Sequence, residues 1–201
     1  GFIGSKGSNF KDTLPGQRSD SDARRTALLK AIQELPIENY GADIGESLEV
    51  AGKALAGLDQ TRSAVSSLGL TVPQMAKYYT GTIGKLLKIV EGMTHYSQNA
   101  DVSRAISAYT AYLQGKERAG IERAMGAGGF GAKKFNPAVY RKFLQLIAMQ
   151  NTYLDRFMLQ AEPETIALHK ATIKGPTIEE VNRLRKIAIE SPVTGTTGNI
   201  A

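Results

Sequence analysis

The chain of 201 residues contains no cysteine and no tryptophan. Without cysteine there are no disulfides, no zinc–thiolate sites and no cysteine nucleophiles, although this alone leaves the compartment open. Aromatic residues make up only 7%, so a core must be built from Ala, Leu, Ile and Val. That favours helix-on-helix packing over an aromatic β-sandwich. Long apolar runs are also missing. None approaches the roughly 18 residues of a membrane span, and no signal peptide is visible. The formal net charge is +6, yet cations occur only in short pairs such as Arg24 with Arg25 and Lys133 with Lys134. With no block of five or six like charges and no basic ribbon interleaved with aromatics, nucleic acid is not an expected partner.

Hydrophobic residues account for 42% of the chain, enough for a core in one domain or two small subdomains. The ends, Gly1-Phe2-Ile3-Gly4 and Gly198-Asn199-Ile200-Ala201, do not resemble natural termini, so a piece of a longer protein is expected.

No stretch alternates with strand periodicity, and the reading is all-α. Residues 1–17 are glycine-rich and read as a helix end running into a loop. Ser19 or Asp20 caps a helix over 20–35, stopped by Pro36. Asp43 or Ser47 starts another, to about Ser67. Val72, Ala76, Tyr79, Ile83, Leu86, Val90 and Met93 then alternate spacings of four and three, the seam of a long antiparallel bundle. After a polar turn over 97–101, a second seam begins with Val102, Ile106, Tyr109 and Leu113. The glycine-rich stretch 126–135 reads as a loop. Asn136 and Pro137 then start a helix to Ala161 that faces Phe143, Leu146, Ile147, Gln150, Leu154 and Phe157 inward. A short helix over 164–172 and a last one over 176–190 complete the chain. Gly1 to Phe10 echoes Gly128 to Phe135, a pattern that fits either duplication or coincidence.

The chemistry lies in the cations of the last helices. Continued by heptads, the second seam reaches Lys116, Gly120 and Arg123. Neither Arg123 nor Lys116 has a carboxylate four residues away, so each needs an anion or a carboxylate from another helix if it leaves water. Arg118 has Glu122 four residues on and reads as a solvated surface pair. In the last helix, Glu179 with Arg183 and Lys186 with Glu190 form a polar face. Arg185 instead shares the apolar face with Ile178, Val181, Ala188 and Ile189, and reads as either partnered or snorkelling. Two guanidiniums converging on one pocket suit a planar anion held through fork geometry. No enzyme site emerges: His95 and His169 lack metal-ligand spacing, and no nucleophile, triad or dinucleotide fingerprint is present. The expectation is therefore a binding domain without enzymatic activity, metal or cofactor.

Several stretches together resemble the nitrate- and nitrite-sensing (NIT) domain of bacterial receptors. They are Lys116-Glu117, Gly120, Glu122-Arg123-Ala124, the Phe/Gly segment after them, Gln150, Tyr153-Leu154-Asp155-Arg156-Phe157, Tyr78-Tyr79, and Val181 with Arg185. The resemblance covers essentially the whole chain. It implies a single sensory domain over 1–201, with a first helical half at 1–98 and a second at 99–201, built as two packed four-helix bundles truncated at the first helix. It further implies nitrate or nitrite bound by arginines from different helices, here Arg123 and Arg185 with Lys116 beside them, and an output module in the same full-length chain. A homodimer and a setting in a methyl-accepting chemotaxis receptor are expected. The domain would then lie outside the inner membrane, with a cytoplasmic regulator as the alternative setting and membrane contact only through flanking segments. The alternative function is a helical dimerisation module without a small ligand, in which Arg123 and Arg185 pair with carboxylates.

Overall fold

The computed structural model describes residues 1–198 and 200. Among these residues the fold is all-α, with no strand. The chain divides into two compact units, Gly1–Tyr96 and Ser97–Ala201.

Four α-helices belong to the first unit: α1 (Leu14–Glu34), α2 (Ala42–Ala56), α3 (Leu58–Ser66) and α4 (Val72–Gly92). The first begins several residues before the expected Ser19 or Asp20, because Pro15 sits in its first turn. There a missing N–H costs nothing and a fixed φ is pre-set for the helix. A single helix was expected from Asp43 or Ser47 to Ser67; it breaks in two at Gly57. The Tyr78 hydroxyl donates to the Ala54 carbonyl at 2.6 Å, competing for an acceptor that the continuing helix would use. Helix α4 follows its sequence pattern, and Thr71 caps it in a reciprocal box with Gln74. Its seam is half-buried in the middle, while the ends Val72 and Met93 are exposed. The unit's core gathers Ile44, Leu48 and Ala51 of α2 with Leu58 and Val65 of α3.

The second unit holds α5 (Ala100–Gly131), α6 (Pro137–Gln160), α7 (Pro163–Thr172) and α8 (Pro176–Thr194). Asn99 and Asn136 cap α5 and α6 through their side-chain oxygens. The 32 residues of α5 include the stretch 126–131 that its glycines marked as a loop. Two of those glycines serve packing. Gly126 lies under Phe143, and a Cβ at Gly129 would come within 3.0 Å of the Phe135 ring. Phe130, Phe135, Phe143 and Ala188 form the cluster that results.

The seam of α5 is also displaced from its expected phase. Val102 and Tyr109 are exposed, and the buried positions are Ala108, Ala111, Gly115, Glu122, Gly126, Gly129 and Phe130. Ala108, Gly115, Glu122 and Gly129 recur at heptad spacing, and the alanines and glycines of this face let α6 approach closely; Gly115, for instance, faces Leu154 and Tyr153. Large residues marked one face in the sequence, while small ones made the contact on the other. On α6, Phe143, Leu146, Gln150 and Phe157 are buried as the pattern requires.

The echo between residues 1–10 and 128–135 extends to the backbone, which makes the same turn of hydrogen bonds in both places. Ser5, Lys6 and Gly7 donate backbone N–H bonds to Gly1, Ile3 and Phe2. Ala132, Lys133 and Lys134 donate to Gly128, Phe130 and Gly129 in the same pattern. Lys6 and Lys133 hold φ of 53° and 54°, the left-handed residue such caps require.

Candidate functional site

Along α5 of the second unit, Glu122 lies between two apolar clusters. One is built on Ala108, Ala111 and Phe157, the other on Phe130, Phe135 and Phe143. A carboxylate at a buried seam position must be neutralised or fully hydrogen-bonded. Here it is both. Arg185 of α8 donates from Nε to Glu122 Oε1 and from Nη2 to Oε2, each at 2.6 Å. Gln150 of α6 donates to Glu122 Oε2 and to the Leu146 carbonyl, while its own oxygen accepts from Arg185 Nη2 at 2.8 Å. Three helices therefore meet in one closed polar triad.

Glu122 and Gln150 are 6% and 5% exposed, whereas the Arg185 side chain is 24% exposed, so the site has one side open to water. Among the described residues, Arg185 Nη1 has no protein partner. The arrangement presents a fork–fork ion pair, the strongest hydrogen-bonding geometry available to a guanidinium, with one terminal nitrogen facing outward.

The predicted site residues fare differently. Arg185 does point inward, with a carboxylate on it. Arg123 and Lys116 are exposed, and neither makes a salt bridge or side-chain hydrogen bond among the described residues. The expectation that they turn toward the core is corrected; it followed from the displaced phase of α5. Within the chain, Arg123 has no carboxylate partner among the described residues, whereas Arg185 has one. Arg118, expected on the surface with Glu122, is half-buried. Its Nη1 donates to Gln114 Oε1 and its guanidinium lies 5.1 Å from the Tyr153 ring centre. On α8 Arg183 pairs with Glu180, not Glu179, through bonds of 2.6 and 2.7 Å; Lys186 stands 4.0 Å from Glu190. Val181 and Ile189 are exposed, and the inward stripe runs through half-buried Leu184, Arg185 and Ile187 and buried Ala188.

Two features escaped sequence reasoning. In the first unit Arg62 is 8% exposed. It pairs with Asp22 of α1 at 2.5 Å, and Arg25 bridges Asp22 and Asp59. Local spacing hid it, since Asp59 stands three residues before Arg62 and 3.8 Å from it, a spacing equally typical of an exposed helix pair. In the second unit His169 stands edge-on to Tyr112 and Phe157 with Nδ1 buried and unpartnered. Burial also pushes the Glu117 carboxyl above its ordinary range, with the nearby Arg118 opposing the shift. Surface grooves of about 500 and 410 Å³ open on the first unit, and neither is lined by Lys116, Arg123 or Arg185.

Comparison with known proteins agrees with this architecture. The chain is 27% identical over 134 residues to the nitrate regulatory protein of Klebsiella oxytoca, a match covering 67% of this chain and 33% of that protein. Its fold superposes on the structure of the NasR transcription antiterminator with a TM-score of 0.87 at 22% identity, covering 93% of this chain and 50% of the other. The chain thus spans a third of the curated relative and half of the solved one. The family model described as nitrate and nitrite sensing matches residues 1–200. The chain belongs to the nitrate and nitrite sensing family.

Proposed function

We propose that the chain is the input domain of a bacterial signalling protein, binding nitrate or nitrite through Arg185 and performing no chemistry on it. The observation that carries this is the seating of Arg185. A half-buried guanidinium on the inward stripe of α8 is fixed in fork geometry at a junction of three helices, with Nη1 free of protein partners among the described residues. A small planar oxyanion matches that fork. Arg123 and Lys116, exposed on α5, act as outer cations that raise the local anion concentration, a long-range and salt-sensitive contribution. Binding biases the relative positions of α5, α6 and α8, and the bias passes to an output module elsewhere in the full-length chain.

The names of the two relatives describe a regulatory protein and a transcription antiterminator, which favours a regulator of gene expression as the output over a chemotaxis receptor. No helix among the described residues is long and apolar enough to cross a membrane; a receptor setting would rest on flanking segments. A homodimer remains part of the reading. The pairing of Arg185 with a carboxylate is the feature that favours the alternative, a helical dimerisation module without ligand. That pair lies within one chain, however, and so does not mark a subunit contact. Calorimetric titration with sodium nitrate, sodium nitrite and sodium chloride tests the reading. Saturable heat from nitrate or nitrite and none from chloride is the expected result; indistinguishable heats from all three would contradict it.

A further inference from the structure

The sequence offers Glu122 two cationic partners. Arg118 stands one turn before it on the same helix, at a spacing that brings side chains within reach. Arg185 stands opposite on α8. The structure shows the second pairing, in which Glu122 spans the Nε and Nη2 edge of Arg185, and leaves Arg118 nearby on Gln114 and Tyr153. A carboxylate and a nitrate or nitrite ion are both planar oxyanions that place two oxygens against two guanidinium N–H groups. Glu122 therefore fills the position that the ligand's own geometry calls for.

We propose that Glu122 is a built-in competitor for the Arg185 fork, and that anion binding moves its carboxylate from Arg185 to Arg118. This rests on the reading of Arg185 as the anion anchor. Two physical points support the exchange. A second anion beside the intact pair would face the Glu122 charge where water is largely excluded and screening is weak, so binding and departure of Glu122 are linked. The departing carboxylate also has a cation to meet, because Arg118 has no salt bridge among the described residues; its guanidinium contacts a neutral amide and a ring face, with the neighbouring Glu117 near enough to feel its charge. The two states differ in what Glu122 ties together. With Arg185 it joins α5 to α8 and, through Gln150, to α6. With Arg118 it lies within α5 alone. One carboxylate with two discrete seats is the kind of bistable element that converts a local exchange into a helix shift.

Calorimetric titration of sodium nitrate into the 201-residue chain and its Glu122→Gln variant tests the proposal. Removing the competitor should tighten binding on the order of tenfold, within the usual span of coupling between linked sites. Equal or weaker binding by Glu122→Gln would overturn the proposal, and would mean that Glu122 positions Arg185 for the anion. Absence of saturable binding in both proteins, with helical circular dichroism intact, would overturn the anchor reading itself. If Glu122→Gln does not fold, the unsubstituted chain still decides the matter by nuclear magnetic resonance. The Arg118 side-chain N–H signals should move with the same nitrate midpoint as those of Arg185; a shift at Arg185 with Arg118 unmoved would contradict the exchange.

Discussion

Arg185 and Glu122 are 63 positions apart in sequence, yet two hydrogen bonds of 2.6 Å join them across α8 and α5. Because the Glu122 side chain is only 7% exposed, losing its partner leaves a nearly buried charge. Arg185→Ala should destabilise the second unit by about 3 kcal/mol. Replacing the whole triad, Glu122→Leu, Gln150→Leu and Arg185→Leu, should recover most of that loss, because apolar side chains of similar volume need no neutralising and leave no buried amide unpaired. Urea unfolding at neutral pH of Arg185→Ala and of the triple variant measures the difference.

The glycines of α5 should not be interchangeable. A Cβ at Gly129 would fall within 3.0 Å of the Phe135 ring, whereas nothing lies within 4 Å of one at Gly128. Gly129→Ala should cost about 1–3 kcal/mol through forced repacking of the phenylalanine cluster. Gly128→Ala should stabilise by up to about 1 kcal/mol, because alanine is the better helix former. Thermal midpoints of the two variants should move in opposite directions.

Glu117 supplies a pH signature. Burial raises its pKa above the ordinary Glu value of 4.5, so the folded state holds the proton more tightly than the unfolded one. Below 4.5 both states are protonated and the group is neutral in the balance. As pH rises from 4.5 toward the higher folded value, the unfolded state ionises first and a penalty on folding grows; above the folded value it stays constant. Glu117→Gln should therefore raise the thermal midpoint at pH 7 and leave it nearly unchanged at pH 4. A gain of equal size at both pH values would contradict this assignment.

Arg123 and Lys116, both exposed, should be dispensable for folding. The double substitution Lys116→Ala with Arg123→Ala should leave the unfolding midpoint unchanged while weakening nitrate binding several-fold at low ionic strength. The difference should shrink toward 0.5 M sodium sulfate as screening shortens the reach of both charges.

Much of this molecule was legible from the chain. The all-α class followed from 3.6-residue periodicity and the absence of alternating stretches. The course of α4 followed from the seam that begins at Val72, and the start of α6 from Asn136 with Pro137. The inward face of α6 was marked by large residues, Phe143, Leu146 and Phe157, which do bury. Helix α5 was misread because its contact face is made of Ala and Gly, which carry little hydrophobic signal, while Val102 and Tyr109 on the exposed side carry much more. That single phase error placed Arg123 and Lys116 inward and Glu122 outward. The inward position of Arg185 was legible because its helix neighbours Val181 and Ile189 gave it no local carboxylate. Its partner came from α5, and a pairing over 63 residues has no signature in local spacing.

The central claim, that Arg185 is the anion's anchor, is tested most directly by following arginine side-chain Nε–H resonances during a sodium nitrate titration at constant ionic strength. The Arg185 signal should shift saturably, while that of Arg183, held on the surface by Glu180, should stay in place. A saturable heat of nitrate binding with the Arg185 resonance unmoved would contradict the account.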